Sequence, residues 1–120
     1  MVGNAHYGFL MDGLNREIEI PLSENDRLRV RVKTYPKERP SYAIQLECWF
    51  EAVGRWQQVI RADDFDGAPH FDIHHPDGTT EKRWLPDQGD NKINMKVAER
   101  FLRQNWREQR KRYENELYEN

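Results

Sequence analysis

SYAIQLECWFEAVGRWQQVIRA, residues 41–62, carries the strongest strand pattern of the chain. Tyr42, Ile44, Leu46, Cys48 and Phe50 alternate with Gln45, Glu47, Trp49 and Glu51, the period-two pattern of a strand with one buried face. Val53-Gly54 is a tight turn, after which 55–62 resumes an extended pattern, so the two segments predict a hairpin. Working towards the N-terminus, Leu28, Val30 and Val32 alternate with Arg27, Arg29, Arg31 and Lys33, which predicts another strand. Pro36 and Pro40 bracket a polar connection between it and the hairpin. Before it, Ile18 and Ile20 alternate with Glu17 and Glu19; Pro21 is expected to end that run, and Ser23-Glu24-Asn25-Asp26 is turn chemistry. Residues 1–13 show no periodicity and read as a loose arm or an ill-placed first strand.

Towards the C-terminus, residues 69–75 predict a short strand, joined through Pro76-Asp77-Gly78 to another over 79–85: a second hairpin. After Pro86 and Gly89 the period changes. Met95, Ala98, Phe101, Leu102, Trp106, Tyr113 and Leu117 fall in one stripe at 3.6 residues per turn. A helix over 91–117 follows, with Asp90 or Asn91 as its cap. The expected fold is α+β: a bent antiparallel β-sheet of about five to six strands built from hairpins, covered by one long C-terminal α-helix.

At 120 residues the chain reads as one domain over 1–120, large enough to bury about two thirds of its extended surface. Charged residues make up 33%, yet the signs nearly cancel to −2. This balance excludes a strongly basic nucleic-acid binder, and the composition excludes collagen-like and disulfide-framework classes. Cys48 is the only cysteine, so no internal disulfide forms, and its place in the apolar alternation suits a small buried hydrophobe. No apolar run approaches membrane-spanning length and no secretory leader is evident, so the expected location is cytoplasmic.

Chemistry concentrates in one place. Between Asp63 and Asp77 lie five acids and three histidines, with no Lys or Arg. On a strand over 69–75, His70, Asp72 and His74 point to one face and Phe71, Ile73 and His75 to the other. Imidazole with carboxylate suits a divalent transition metal, with Asp63 or Asp66 completing the ligand set. A histidine held by Asp72 equally suits acid–base chemistry near neutral pH, with Arg61 steadying an anionic substrate. Two plainer readings stand beside these. One is an acidic loop with solvated histidines. The other is a buried polar lock in which Arg61, Asp63, His70 and Asp72 fix the loop between strands. No spacing here matches a closed metal motif, so no cofactor is expected outright and a divalent metal stays one option.

Arg61, Asp63, Gly67, Pro69, His70 and Asp72 match, without a gap, the signature Arg-Tyr-Asp-Thr-Ala-His-Gly-x-Pro-His-x-Asp. That signature belongs to a family of small prokaryotic proteins, a domain of unknown function, which this chain resembles over roughly residues 41–117. Gly54-Arg55-Trp56-Gln57-Gln58-Val59-Ile60, Pro76-Asp77-Gly78 and the helix from Asn105-Trp106 to Tyr113 are similar to its flanking elements. A remoter likeness is to TumE-type toxins of toxin–antitoxin systems, which share an Arg-Tyr-Asp…His-x-His core. The resemblance implies a protein that acts on, or is held by, another macromolecule. This sequence departs from the signature at Ala62 and Asp66, where the family has Tyr and His.

Two functions from different classes follow. One is an interaction module linked to a toxin–antitoxin-like pair. The other is an RNA-cleaving phosphodiesterase using Arg61, Asp63, His70, Asp72 and His74. A protein partner is compatible with either. RNA could follow the basic helix face of Lys96, Arg100, Arg103, Arg107 and Arg110, which also reads as an ordinary solvated face. The basic row Arg27, Arg29, Arg31 and Lys33 is expected to pair across the sheet with Glu17, Glu19, Glu47 or Glu51. Trp49 is expected to stand exposed among these charges, while Trp56, Trp84 and Trp106 are expected in core and edge packing.

Overall fold

The computed structural model describes residues 15–33, 41–65 and 67–119. Residues 1–13, read as an arm or first strand, lie outside them, as does Asp66. Six strands run in chain order: β1 (Asn15–Ser23), β2 (Asp26–Lys33), β3 (Tyr42–Phe50), β4 (Arg55–Asp63), β5 (His70–His74) and β6 (Thr80–Trp84). Each pairs antiparallel with the next in one open sheet, and the helix α1 (Asn91–Tyr118) closes the chain. This is the α+β architecture expected from the alternation.

The pleat sorts the side chains onto two faces. Leu28 pairs with Leu46, Val30 with Ile44, Ile44 with Ala62, and Ile60 with Ile73. These residues, with Phe50, Val59 and Phe71, form the buried face on which Ala98, Leu102, Trp106 and Tyr113 of α1 rest. Phe50 stacks on Tyr113 with ring centres 5.4 Å apart. Phe101, expected within the apolar stripe, lies at its exposed margin and reaches Phe71 at 5.0 Å. Asp90 caps the helix, its Oδ1 accepting from the Lys92 and Ile93 amides at 2.7 and 3.4 Å.

Pro21 does not end its strand. β1 continues to Ser23, with a register shift between Pro21 and Ser23. β1 is an edge strand, and there a missing proline N–H costs little because it can face outward. A second irregularity lies inside the sheet: Leu46 pairs with Ile60 but Glu47 with Gln58, leaving Val59 as the extra residue. The Val59 carbonyl accepts instead from Arg112 Nη2 at 3.1 Å, while Nη1 of the same guanidinium donates to the His74 carbonyl at 2.7 Å. Arg112 thereby ties the helix to two strands through their backbone.

On the other face, the ion pairs anticipated between strands form for Glu17, Glu19 and Glu47. Glu47 takes Arg27 and Arg29 together, at 2.7 and 3.1 Å, while Glu17 and Glu19 meet Arg29 at 2.7 and 3.1 Å. Glu51 instead lies exposed in the β3–β4 turn. Trp49 is only half-exposed: it meets Trp56 edge-on at 5.9 Å, and the Arg27 guanidinium lies 3.9 Å over the Trp56 ring. Trp84, expected in packing, is exposed at the sheet edge, and Trp106 is buried.

Candidate functional site

The β4–β5 pairing sets Asp63 opposite His70 and Arg61 opposite Asp72. Ile60, Ala62, Phe71 and Ile73 take the helix side of these strands, so alternation turns Arg61, Asp63, His70 and Asp72 to the opposite face. The connecting loop closes through Gly67, whose φ of +92° suits glycine and whose N–H donates to the Asp64 carbonyl at 3.0 Å.

The four side chains converge. His70 Nε2 lies 3.0 Å from Asp63 Oδ1 and 3.6 Å from Asp72 Oδ2. Asp63 is held from two further directions: Arg61 Nε donates to Oδ2 at 2.7 Å, and the Phe65 amide donates to Oδ1 at 2.9 Å. His70 Nδ1 sits 3.0 Å from the Ala68 carbonyl, which can only accept, so Nδ1 bears a proton. The Trp84 indole packs edge-on against the imidazole at 5.3 Å. Asp63 and His70 are sealed, at 0% and 1% side-chain exposure, whereas Asp72 at 18% and Arg61 at 35% form the mouth.

His74 follows Asp72 on the same face but does not join the cluster. Its Nδ1 lies 3.3 Å from Thr80 Oγ1, and Nε2 is buried with no hydrogen-bond partner among the described residues. Burial holds its imidazole below the ordinary histidine range, favouring the neutral ring. His75 turns the other way, to Glu116 Oε1 at 2.8 Å and Glu81 Oε1 at 3.6 Å, as a cross-link between sheet and helix. Asp64 is structural: its carboxylate accepts from the Ser41 amide and hydroxyl at 2.8 and 2.7 Å. Asp77 accepts from Thr79 within the β5–β6 turn. Among the described residues the acidic run therefore divides into one turn-maker, one staple and one compact constellation. The sequence reading missed two members, the Ala68 carbonyl and Trp84. Trp84 was reachable by counting back across the Pro76-Asp77-Gly78 turn, which sets it opposite His70.

A second surface lies on α1. Lys96, Arg100, Arg103 and Arg107 stand exposed, with Arg103 paired to Glu99 at 2.9 Å and Arg107 stacked over Trp106 at 4.5 Å. Arg110 does not belong with them. Its guanidinium turns to the sheet, binding Asp26 and the Trp49 carbonyl and lying 4.6 Å over Phe50, because its helical position faces the β2 end. Beside the basic row, Ile93, Val97 and Phe101 remain 37–48% exposed. Val97 and Phe101 line a cleft of about 200 Å³ between α1 and the sheet, together with Phe71, Ile73, Arg83 and Leu85 among others.

A model of the family described as "Domain of unknown function (DUF7718)" matches residues 12–119. No curated protein and no solved structure matches the chain. No described helix is long and apolar enough to cross a membrane.

Proposed function

The chain belongs to the DUF7718 family, and from that premise we propose that it is an interaction module that docks an acidic, amphipathic segment of a partner protein against α1. One observation carries this reading. Ile93, Val97 and Phe101 recur at a spacing of four, which puts them on one helical face; all three are exposed, and Val97 and Phe101 line an apolar cleft. Arg100 and Lys96 border that stripe on the helix, and Arg83 borders the cleft on β6. An apolar stripe between cations suits an amphipathic acidic helix laid into a groove, with apolar anchors giving affinity and charge giving orientation and on-rate. A bare phosphate backbone would use the cations and leave the apolar stripe wet. The remote toxin–antitoxin resemblance fits such a partner, one co-produced in the cytoplasm to hold the protein.

The test is affinity capture from the source cells with wild-type protein and a Val97→Glu/Phe101→Glu variant of equal melting temperature. Support is a nuclease-resistant acidic protein retained by the wild type and lost by the variant. Retention of nucleic acid alone, or equal retention by both proteins, overturns the reading.

A second reading rests on the convergence of Arg61, Asp63, His70 and Asp72: an RNA-cleaving phosphodiesterase with Arg61 at the mouth receiving the phosphate. His74 stands beside this set, outside its hydrogen bonds. RNA cleavage by the wild type, lost in Asp72→Asn, supports it; intact RNA, or cleavage undiminished in the variant, removes it.

A further inference from the structure

We infer that Asp63, His70 and Asp72 form a binding site for one divalent transition-metal ion. The inference is independent of the partner taken by the helix. With Nδ1–H committed to the Ala68 carbonyl, a neutral His70 ring directs the Nε2 lone pair at two carboxylate oxygens. One ligand atom from each of the three residues lies within 4.8 Å of the others. Three lone-pair-bearing atoms in a largely buried pocket repel one another unless a positive species lies between them. That species is either a proton on Nε2 or a cation.

Four features favour the cation. The 3.0 Å from Nε2 to Asp63 falls within the roughly 2.8–3.4 Å between neighbouring ligands that 2.0–2.1 Å bonds produce in octahedral or tetrahedral shells, and the 3.6 Å to Asp72 at the mouth lies just beyond it, within reach of a small side-chain adjustment. A backbone carbonyl on the remote imidazole nitrogen is the outer-shell contact that commonly fixes a metal-bound histidine. Asp63 is oriented from behind by Arg61 and the Phe65 amide, so its geometry does not depend on the ion. Asp72 is partly exposed, which leaves an entry path and room for water or substrate on the remaining positions.

The donor set selects the ion. One imidazole with two carboxylates suits Zn²⁺, Co²⁺, Fe²⁺ or Mn²⁺, whereas Ca²⁺ and Mg²⁺ prefer all-oxygen shells. Two carboxylates, one guanidinium and a divalent ion sum to a net charge of +1, so the loaded site attracts an anion at its mouth.

The experiment is titration of chelator-treated, desalted full-length protein with Zn²⁺ by calorimetry and with Co²⁺ by visible absorption. The expected result is one ion per chain and Co²⁺ d–d bands altered from those of the aqueous ion. Asp72→Asn, at the half-open position, preserves shape and is expected to fold; His70→Gln is the second variant, each checked by circular dichroism. Loss of a direct ligand should weaken binding by at least about 100-fold, the upper end of what outer-shell changes alone cost. Absence of binding by folded wild type at millimolar Zn²⁺ and Co²⁺ overturns the site, leaving a proton on Nε2. Binding unchanged in both variants also overturns it, by locating the ion elsewhere.

Discussion

Replacing Glu47 by glutamine keeps the side chain's shape and removes one negative charge from beneath two guanidiniums. In the wild type Oε1 accepts from Arg27 Nε at 2.7 Å and Arg29 Nη2 at 3.3 Å; Oε2 accepts from Arg29 Nε at 3.1 Å and Gln45 Nε2 at 2.6 Å. Glu47 is only 8% exposed, so water replaces little of this on its own side. Hydrogen bonds to charged groups contribute about 1.5–3 kcal/mol each when intact. Both arginines are about a quarter exposed and keep contacts to Glu17 or Glu19, which softens the loss. The net expected destabilisation is about 2–3 kcal/mol, or roughly 8–12 °C in Tm for a chain of this size.

The pH dependence sharpens the test. Burial pushes the Glu47 carboxyl up, but the bonds from Arg29, Arg27 and Gln45 outweigh it and bring it below its ordinary 4.5. A carboxylate lowered in the folded state stabilises fully above its unfolded value and loses that contribution as pH falls through the folded value. Urea unfolding of both proteins should therefore show a constant gap from pH 7 to about 5, closing below about 4.5. A gap under about 0.5 kcal/mol at pH 7 would refute the reasoning. So would a gap undiminished at the lowest pH at which both proteins still fold.

Leu102→Ala, at a fully buried position where α1 meets β3 and β4, should cost about 2–5 kcal/mol by urea denaturation; an unchanged midpoint would mean the helix does not dock there. The Tyr42 hydroxyl is buried with no partner among the described residues, and burial followed by Asp64, Asp63 and Asp87 raises it to about 12. Its contribution is present below the ordinary 10 and lost as pH rises through about 12, so Tyr42→Phe should match the wild type at pH 7 and resist the alkaline decline between those values. Thermal melts across that range check it, and a loss above about 1 kcal/mol at pH 7 would mean the hydroxyl has a partner. Cys48 is fully buried and burial raises its thiol well above the ordinary range, so a disulfide reagent should label it only on unfolding.

The elements of this protein were legible in its sequence because hydrophobic period is a local property. Tyr42 to Phe50 alternates and folds as a strand; Met95 to Leu117 recurs at 3.6 and folds as a helix capped by Asp90. The side of the pleat was legible too: alternation alone put His70 and Asp72 on one face and Ile73 on the other. Pro21 misled, since a proline reads as a strand end unless one knows that the strand is an edge.

What composition and spacing left open was which polar groups meet. Arg110 reads as one more cation of a solvated ridge, and only the packing of α1 against the β2 end brings it to Asp26. Asp63, Asp64, His70 and His74 are alike on paper as acids and imidazoles. The β4–β5 register, a loop closing at Gly67 and a tryptophan from the next strand separate a convergent triad from a staple and a bystander. Period belongs to neighbours along the chain and survives in any fold that buries one face. Convergence of charged atoms belongs to residues brought together across strands, where a shift of one position would turn each of them to the opposite side.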